Sequence, residues 1–437
     1  MTPQEQLILE LTNRARLNPA AEAARLGITL NEGLAAGTIS AAAKQPLAPN
    51  ARLDLAADRH SQHMINVDQF AHEGIGDGNP QSRVVAAGYV LVPNNSGVGE
   101  NIAFKGTTAP LTAALQTAFA IQNYEQLFID AGIPGRGHRL NILNDIWDEV
   151  GTGLKFGVFT QNNNNFNSGM LTQDFAFSGN KVFVTGVAIR DRDHDNFYDI
   201  GEAHGGVRVT VKAGATTVGT DVTEAAGGYA VATPAGGNLS VTFSGGGLPT
   251  LVTALISTGA RNAKVDLLDN SEILSSATTT LGAGARDLGL LGIGSINGTG
   301  NGLANAITGN AGVNVLKGMG GNDLITGGRG KDTMDGGLGA DRFDFNSVAE
   351  SRRGASHDVV TFSHAQHDKI DLSTIDADVD GTVGNQAFAF IGARAFSGVD
   401  GQLRFAGGLL QGDVNGDRVA DIEVQIVGGL VRADIIL

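Results

Sequence analysis

The chain has 437 residues, 45 acidic against 30 basic side chains, and a formal net charge of −15. That length suits about three domains, and the acidic surface argues against nucleic acid or an anionic membrane as partner. There is no cysteine, which excludes a disulfide-stapled scaffold, and no apolar run approaches the roughly 20 residues of a membrane span.

The opening residues, MTPQEQLILELTNRAR, predict an amphipathic helix with Leu7, Ile8, Leu11 and Ala15 on one face. They lack the basic n-region, long apolar h-region and cleavage site of a secretory signal. Asn18-Pro19 marks a break or a new helix start. Further helices are expected from Asp54 to Phe70 and from Thr112 to Phe128. Strands are expected at Gly151–Phe159 and Leu171–Phe177, joined by the turn QNNNNFNSG. Helices first and strands late suggest α+β layers for residues 1–178.

Three short elements of this first domain carry chemistry: Ala71-His72-Glu73, GENIA around Glu100, and GHRLNIL around His138. Two histidines and a glutamate can form a metal or proton-transfer site. His60 and His63 lie three apart and share a helix face; packing or exposure accounts for them more simply than a metal pair. Ser61 and Ser96 carry no motif, and neither GxSxG nor HExxH occurs, so no nucleophile stands out.

Together ELTNRARLNPAAEAARLG, FAHEG, GENIA, GHRLNIL and EVGTGL resemble the bacterial form of the CAP superfamily (cysteine-rich secretory proteins, antigen 5, pathogenesis-related 1) over roughly residues 4–178. The resemblance implies an α-β-α sandwich with a surface cleft lined by two histidines and usually two acidic residues. His72, Glu100 and His138 match three of these positions. The fourth falls in AIQNYEQLF, where Ala120 stands at the acidic position and Glu125 is out of register. Two imidazoles and one carboxylate leave coordination open, so zinc is expected weakly or not at all. The resemblance also brings lipid or sterol binding and a hydrolytic cleft into view.

Residues 179–270 change character. Short β-rich runs such as KVFVTGVAI, GVRVTVKAG and GGYAVATP, separated by Gly-containing turns, suggest a β-sandwich. Within them Asp191, Asp193, Asp195, Asp199 and Glu202 fall at positions 1, 3, 5, 9 and 12 of a loop, the spacing of an EF-hand calcium loop. Phe197, at position 7, would give its backbone carbonyl. Asn196 replaces the usual Gly at position 6 and also tolerates a left-handed turn. The surroundings resemble the B-type repeat of bacterial surface adhesins, which implies a small prealbumin-like sandwich stiffened by calcium.

Residues 271–299, rich in Ser, Thr, Gly and Leu, read as a linker. Residues 300–345 then repeat every nine: GNGLANAIT, GNAGVNVLK, GMGGNDLIT, GGRGKDTMD and GGLGADRFD. Glycines at the first, second and fourth places permit tight turning. The eighth place is apolar throughout (Ile307, Leu316, Ile325, Met334, Phe343) and should point inward. The sixth runs Asn305, Asn314, Asp323, Asp332, Asp341. The pattern is that of the RTX repeat, a parallel β-roll that binds calcium. The three aspartates are the strong ligands expected, and the first two nonads should be weak or capping turns.

Residues 346–437 show short strands and acidic turns. HDVVTFSHAQHDKIDLSTIDA, GDVNGDRVADIEVQIVG and the terminal ADIIL resemble the C-terminal region of serralysin-type secreted metalloproteases, without their zinc motif. Asp413, Asn415, Asp417 and Asp421 take positions 1, 3, 5 and 9 of a further calcium-like loop. The resemblance implies an uncleaved signal read by type I secretion machinery, and hence an extracellular protein that folds on meeting calcium. The expected fold is thus multidomain: CAP domain (1–178), β-sandwich (179–270), linker (271–299), parallel β-roll (300–345) and β-rich C-terminal cap (346–437). The function expected is a secreted calcium-binding ligand-binding or interaction protein, with several calcium ions as partners. A hydrolase working through His72, Glu100 and His138, an adhesin or matrix protein that takes a glycan or cell-surface ligand, and a lipid carrier stay open.

Overall fold

Thr2 starts the first helix. Its hydroxyl accepts from the Glu5 amide and the Glu5 side chain accepts from the Thr2 amide, with Pro3 pre-set in the first turn. In the computed structural model, which describes residues 1–379, 381 and 384–437, this helix, α1, spans Pro3–Leu17. Asn18-Pro19 is indeed a new start, of α2 (Pro19–Arg25). The other helices are α3 (Ala51–Asn66), α4 (Pro80–Ala86), α5 (Ala113–Ile129) and α6 (Gly137–Ile142). α3 ends earlier than its apolar pattern suggests, because the chain turns at Asp68 with φ 52°.

Four strands form the sheet behind these helices: β1 (Ala48–Pro49), β2 (Ser96–Thr107), β3 (Glu149–Gln161) and β4 (Asn164–Ser178), in the order β1-β3-β4-β2. β2 was not expected, since the glycines of SGVGENIAFKGT mask its alternation. It carries Glu100 directly opposite Asp174 of β4. The EVGTGL motif has a packing cause. A Cβ on Gly151 would lie 2.0 Å from the Leu53 carbonyl carbon, and one on Gly153 would lie 2.3 Å from the Asp58 nitrogen. Only glycine lets α3 lie this close to β3.

The middle strands are Val182–Ile189, Val207–Ala213, Thr216–Val222, Gly228–Thr233, Gly237–Gly245 and Ala263–Leu268. Val207–Ala213 pairs antiparallel with both Thr216–Val222 and Gly237–Gly245. Val182–Ile189 pairs antiparallel with Gly228–Thr233 and parallel with Ala263–Leu268. Residues Met1–Leu251 and Ser257–Asn270 form one compact unit, and Val252–Ile256 with Ser271–Leu437 form a second.

The second unit is β-rich and its strands are mostly parallel, consistent with a β-roll. Two columns of apolar side chains run through it. In one, Leu288, Ile307, Ile325, Phe343, Ile370 and Ile435 stack by successive parallel pairings. In the other, Leu316, Met334, Val360 and Ile426 do the same. All five eighth-place residues are buried. Each such side chain contributes roughly 1.5–3 kcal/mol, so the column holds the coils together.

Residues 271–299 are not a linker. Glu272–Ser275, Thr278–Leu281 and Asp287–Leu290 are strands of the same parallel ladders. Leu288 is buried in register with Ile307, but the segment's glycines and its one aspartate, Asp287, do not follow the full nonad pattern, which hides the coil. At the other end Gln402–Ala406, Leu409–Asp413 and Ile422–Val427 form an antiparallel meander. Its last strand runs parallel to Asp358–Thr361. No described helix is long and apolar enough to cross a membrane.

Candidate functional sites

In the last three nonads each sixth-place aspartate accepts a hydrogen bond from the backbone of the preceding coil. Asp323, Asp332 and Asp341 take the amides of Asn305, Asn314 and Asp323 on Oδ1, at 2.8, 2.8 and 2.9 Å. Their Oδ2 atoms are buried without a hydrogen-bond partner. A Cβ on Gly318 would lie 2.1 Å from Asp323 Oδ2 and 2.4 Å from the Gly336 carbonyl; one on Gly336 would lie 2.1 Å from Asp341 Oδ2. Carboxylate and carbonyl oxygens thus converge where no side chain fits. That is a hard-oxygen donor set of the kind Ca²⁺ takes.

Burial foremost pushes these acids up: Asp323 to about 6, Asp332 to about 8, and Asp341 upward. An unpaired buried carboxylate is costly, and a bound divalent cation would offset that cost. The first two nonads differ. Asn305 Oδ1 accepts from Asn301 while its Nδ2 donates to Arg286 O. Asn314 does the same with Asn310 and Ile296 O. These amides satisfy themselves and need no cation.

Sequence spacing missed two members of the ladder. Asp358 Oδ1 accepts from the Asp332 amide at 2.7 Å, and Asp368 Oδ1 from the Asp341 amide at 3.1 Å. Asp358 Oδ2 is also buried without a hydrogen-bond partner, and burial raises this acid to about 7. Asp368 Oδ2 instead accepts from Ser363. Glu350 adds its charge beside Asp332 and Asp358.

In the loop 191–202, the carboxylates of Asp191, Asp193 and Asp195 stand within 4.8 Å of one another, as do those of Asp193, Asp199 and Glu202. Among the described residues these are the groups of three or more acidic or histidine ligands in such reach. Asp191 caps the amides of His194 and Asn196, and Glu202 those of Arg192 and Asp199. Asn196 takes the left-handed turn at φ 60°. Asp199 is pushed up by burial first, then by Asp195, Asp193 and Glu202.

The third acidic loop follows Leu409–Asp413. Asp413 accepts from the Gly416 and Arg418 amides, Asn415 from Asp417, Asp417 from Val419 and Asp421 from Val414. Asp400, not singled out in the sequence, brings Oδ1 to 2.1 Å from where a Cβ on Gly416 would stand. Burial, then Asp417 and Asp413, raise the Asp421 carboxyl.

The helical domain brings His72 and His138 together, their ring centroids 6.3 Å apart and nearly stacked. They border a groove of about 660 Å³ lined by Phe70, Ile102, Ile133, Pro134, Leu140 and Asn141, with Glu100 at its floor. His72 Nδ1 meets Glu100 Oε1 at 2.8 Å. His138 Nδ1 meets Asp130 Oδ1 at 2.7 Å, and the His138 amide donates to Asp130 Oδ2. Each imidazole thus has its Nδ1 tied to a carboxylate, which fixes its orientation.

A second acid, Asp130, stands buried behind His138, and it escaped the sequence reading. It follows the end of α5, in a left-handed turn at φ 52°, whereas Ala120 on α5 is fully buried core and Glu125 pairs with Arg25. Behind Glu100 lie Arg83, which bonds to it, and His60, whose Nδ1 meets Asp77 at 2.6 Å. Burial lowers the His60 pKa and, with Glu100 next, raises that of Asp174 well above the usual carboxylate range. Ser61 is spent in the core on the Gly153 carbonyl.

Comparison with known proteins agrees with the helical domain and with the nonad repeats. A model of the cysteine-rich secretory protein family matches residues 9–175. A model of the RTX calcium-binding nonapeptide repeat matches four copies across residues 308–343. Among solved structures, an extracellular protein containing a SCP domain from Bacillus anthracis str. Ames is 19% identical, over 39% of this chain and 39% of that chain, with a TM-score of 0.24. The AlgE6R3 subunit of the Azotobacter vinelandii mannuronan C5-epimerase is 26% identical, over 33% of this chain and 80% of that chain, with a TM-score of 0.23. No curated protein matches.

Proposed function

We propose that this chain, which carries a CAP domain and RTX calcium-binding repeats, is a secreted ligand-binding protein that completes its fold on calcium. The observation that carries the reading is the row of buried carboxylate oxygens on Asp323, Asp332, Asp341 and Asp358 that meet no donor. Calcium would be held there, and in the loops at 191–202 and 413–421. The middle module is read as a small calcium-braced sandwich. The chain would leave the cell unfolded through type I secretion machinery and meet abundant calcium outside. A native mass spectrum of the purified protein should show several calcium ions per chain, removed by chelator. A spectrum unchanged by chelator would overturn the reading.

In the CAP groove, apolar walls beside two oriented imidazoles favour a ligand with an apolar body and a polar end. The hydroxyl of Ser61 is buried and engaged, which weighs against a serine hydrolase. Zinc at His72, Glu100 and His138 is at most weak, because these side chains do not form a converged three-ligand group. His138→Ala should leave the fold intact and weaken ligand binding about tenfold, roughly the worth of one oriented polar contact. Isothermal titration with lipid vesicles and glycans would check this. A hydrolytic activity present in the natural chain and lost in this variant would favour an enzyme instead.

A further inference from the structure

The first unit contains an interface that none of the sites above uses. On α1, Glu10 takes a hydrogen bond from Gln6 and an ion pair from Lys264 Nζ at 2.8 Å. Lys264 also pairs with Asp266, which accepts from the Val187 amide at 2.8 Å. All three charged residues are buried, at 4–5% exposure. Nearby, Asn262 donates to the carbonyls of Pro46 and Asp148. Buried, mutually satisfied charges of this kind fix one docking register rather than adding affinity alone. The strand Ala263–Leu268 is therefore seated on the CAP domain in a defined way, and is no flexible spacer.

The loop 191–202 reaches the same helix. Its Tyr198 is buried, with the hydroxyl 3.5 Å from the Pro3 carbonyl. The Arg14 guanidinium lies over the Phe197 ring at 4.7 Å from its centroid. Arg14 in turn donates to Glu22 at 3.0 and 3.1 Å, and Glu22 accepts from Tyr124 of α5 at 2.9 Å. The two rings sit in sequence between the acidic ligands Asp195 and Asp199. The backbone that closes round a cation is the backbone that seats them.

We propose that calcium in the loop 191–202 is sensed by α1 of the CAP domain, through Phe197 against Arg14 and Tyr198 against Pro3. The proposal rests on the reading of this loop as a calcium site. Without a cation the convergent carboxylates repel, the loop loosens, and both rings lose their fixed seats. With it, α1 gains a rigid neighbour.

The test is hydrogen exchange on the full chain, comparing calcium-loaded with chelated protein. Calcium should slow exchange in peptides of α1 about tenfold, alongside the loop itself. Asp191→Ala should abolish the response of both. Arg14→Gln combined with Tyr198→Phe leaves every loop ligand in place. It should keep the response of the loop and lose that of α1. If the loop responds and α1 does not, the coupling is overturned and the calcium site stands. If α1 still responds in the double variant, or in Asp191→Ala, its signal has another source and the proposal falls. If the loop itself takes up no calcium, the reading beneath it falls as well.

Discussion

Chelation of the protein at pH 8 should unfold residues 300–345 while leaving the CAP helices intact, and the same chelation at pH 5 should do much less. The sign follows from the buried acids. Asp323, Asp332 and Asp358 are raised to about 6, 8 and 7 from an ordinary value near 3.8. Between pH 4 and pH 8 the folded, metal-free state therefore holds more protons than the unfolded one. Its stability falls as pH rises through that window. Screened by the solvent that still reaches these carboxylates, three such shifts amount to several kcal/mol in order of magnitude, enough to decide a marginal fold. Calcium reverses the trend, because it needs the charged form. At one hundred times its dissociation constant each ion returns about 2.7 kcal/mol. Calcium should thus raise the melting temperature strongly at pH 8 and little at pH 5. Circular dichroism with hydrogen exchange over 300–345 would measure both. A chelated protein equally folded at pH 8 and pH 5 would remove the carboxylate ladder from the account.

What could be read from the sequence followed strict periodicity. The eighth-place apolar residues and the three sixth-place aspartates recur every nine residues, and the coil packs each against its equivalent 18 residues on. Asp358 and Asp368 do the same work at separations of 26 and 27. The loop inserted before Asp358 breaks the count, though not the hydrogen bond. Residues 271–299 keep buried leucines and many glycines but not the full nonad pattern, so composition pointed to a linker where the pairing makes coils. In the CAP domain, short motifs located His72, Glu100 and His138. The second acid did not follow a motif position. Asp130 comes from a left-handed turn past the end of α5, and only the folded chain brings it to His138. The cluster of His60, Asp77 and Arg83 behind Glu100 is likewise assembled from separate elements.

The glycines of the nonads should not be equivalent, and a pair of alanine substitutions would separate their roles. Gly339, at a fourth place, has φ +138°, and a Cβ there would lie 1.6 Å from the Gly321 carbonyl oxygen on the preceding coil. Neither strain is relieved by a side-chain rotation, since the backbone itself supplies the clash. Gly339→Ala should cost roughly 3 kcal/mol or more and lower calcium affinity at the neighbouring coils, because the coil spacing that aligns Asp323 with Asp341 must open. Gly302, at a third place in the first nonad, has no positive φ and no atom within 4 Å of a Cβ. Gly302→Ala should be neutral or stabilise the apo coil by up to about 1 kcal/mol, through a less flexible unfolded chain. Calcium titrations and thermal melts of the two full-length variants would test the contrast. Equal losses in both would mean that the repeat tolerates no side chain at any glycine. Equal neutrality would mean that the coils are not stacked as closely as the Gly339–Gly321 approach requires.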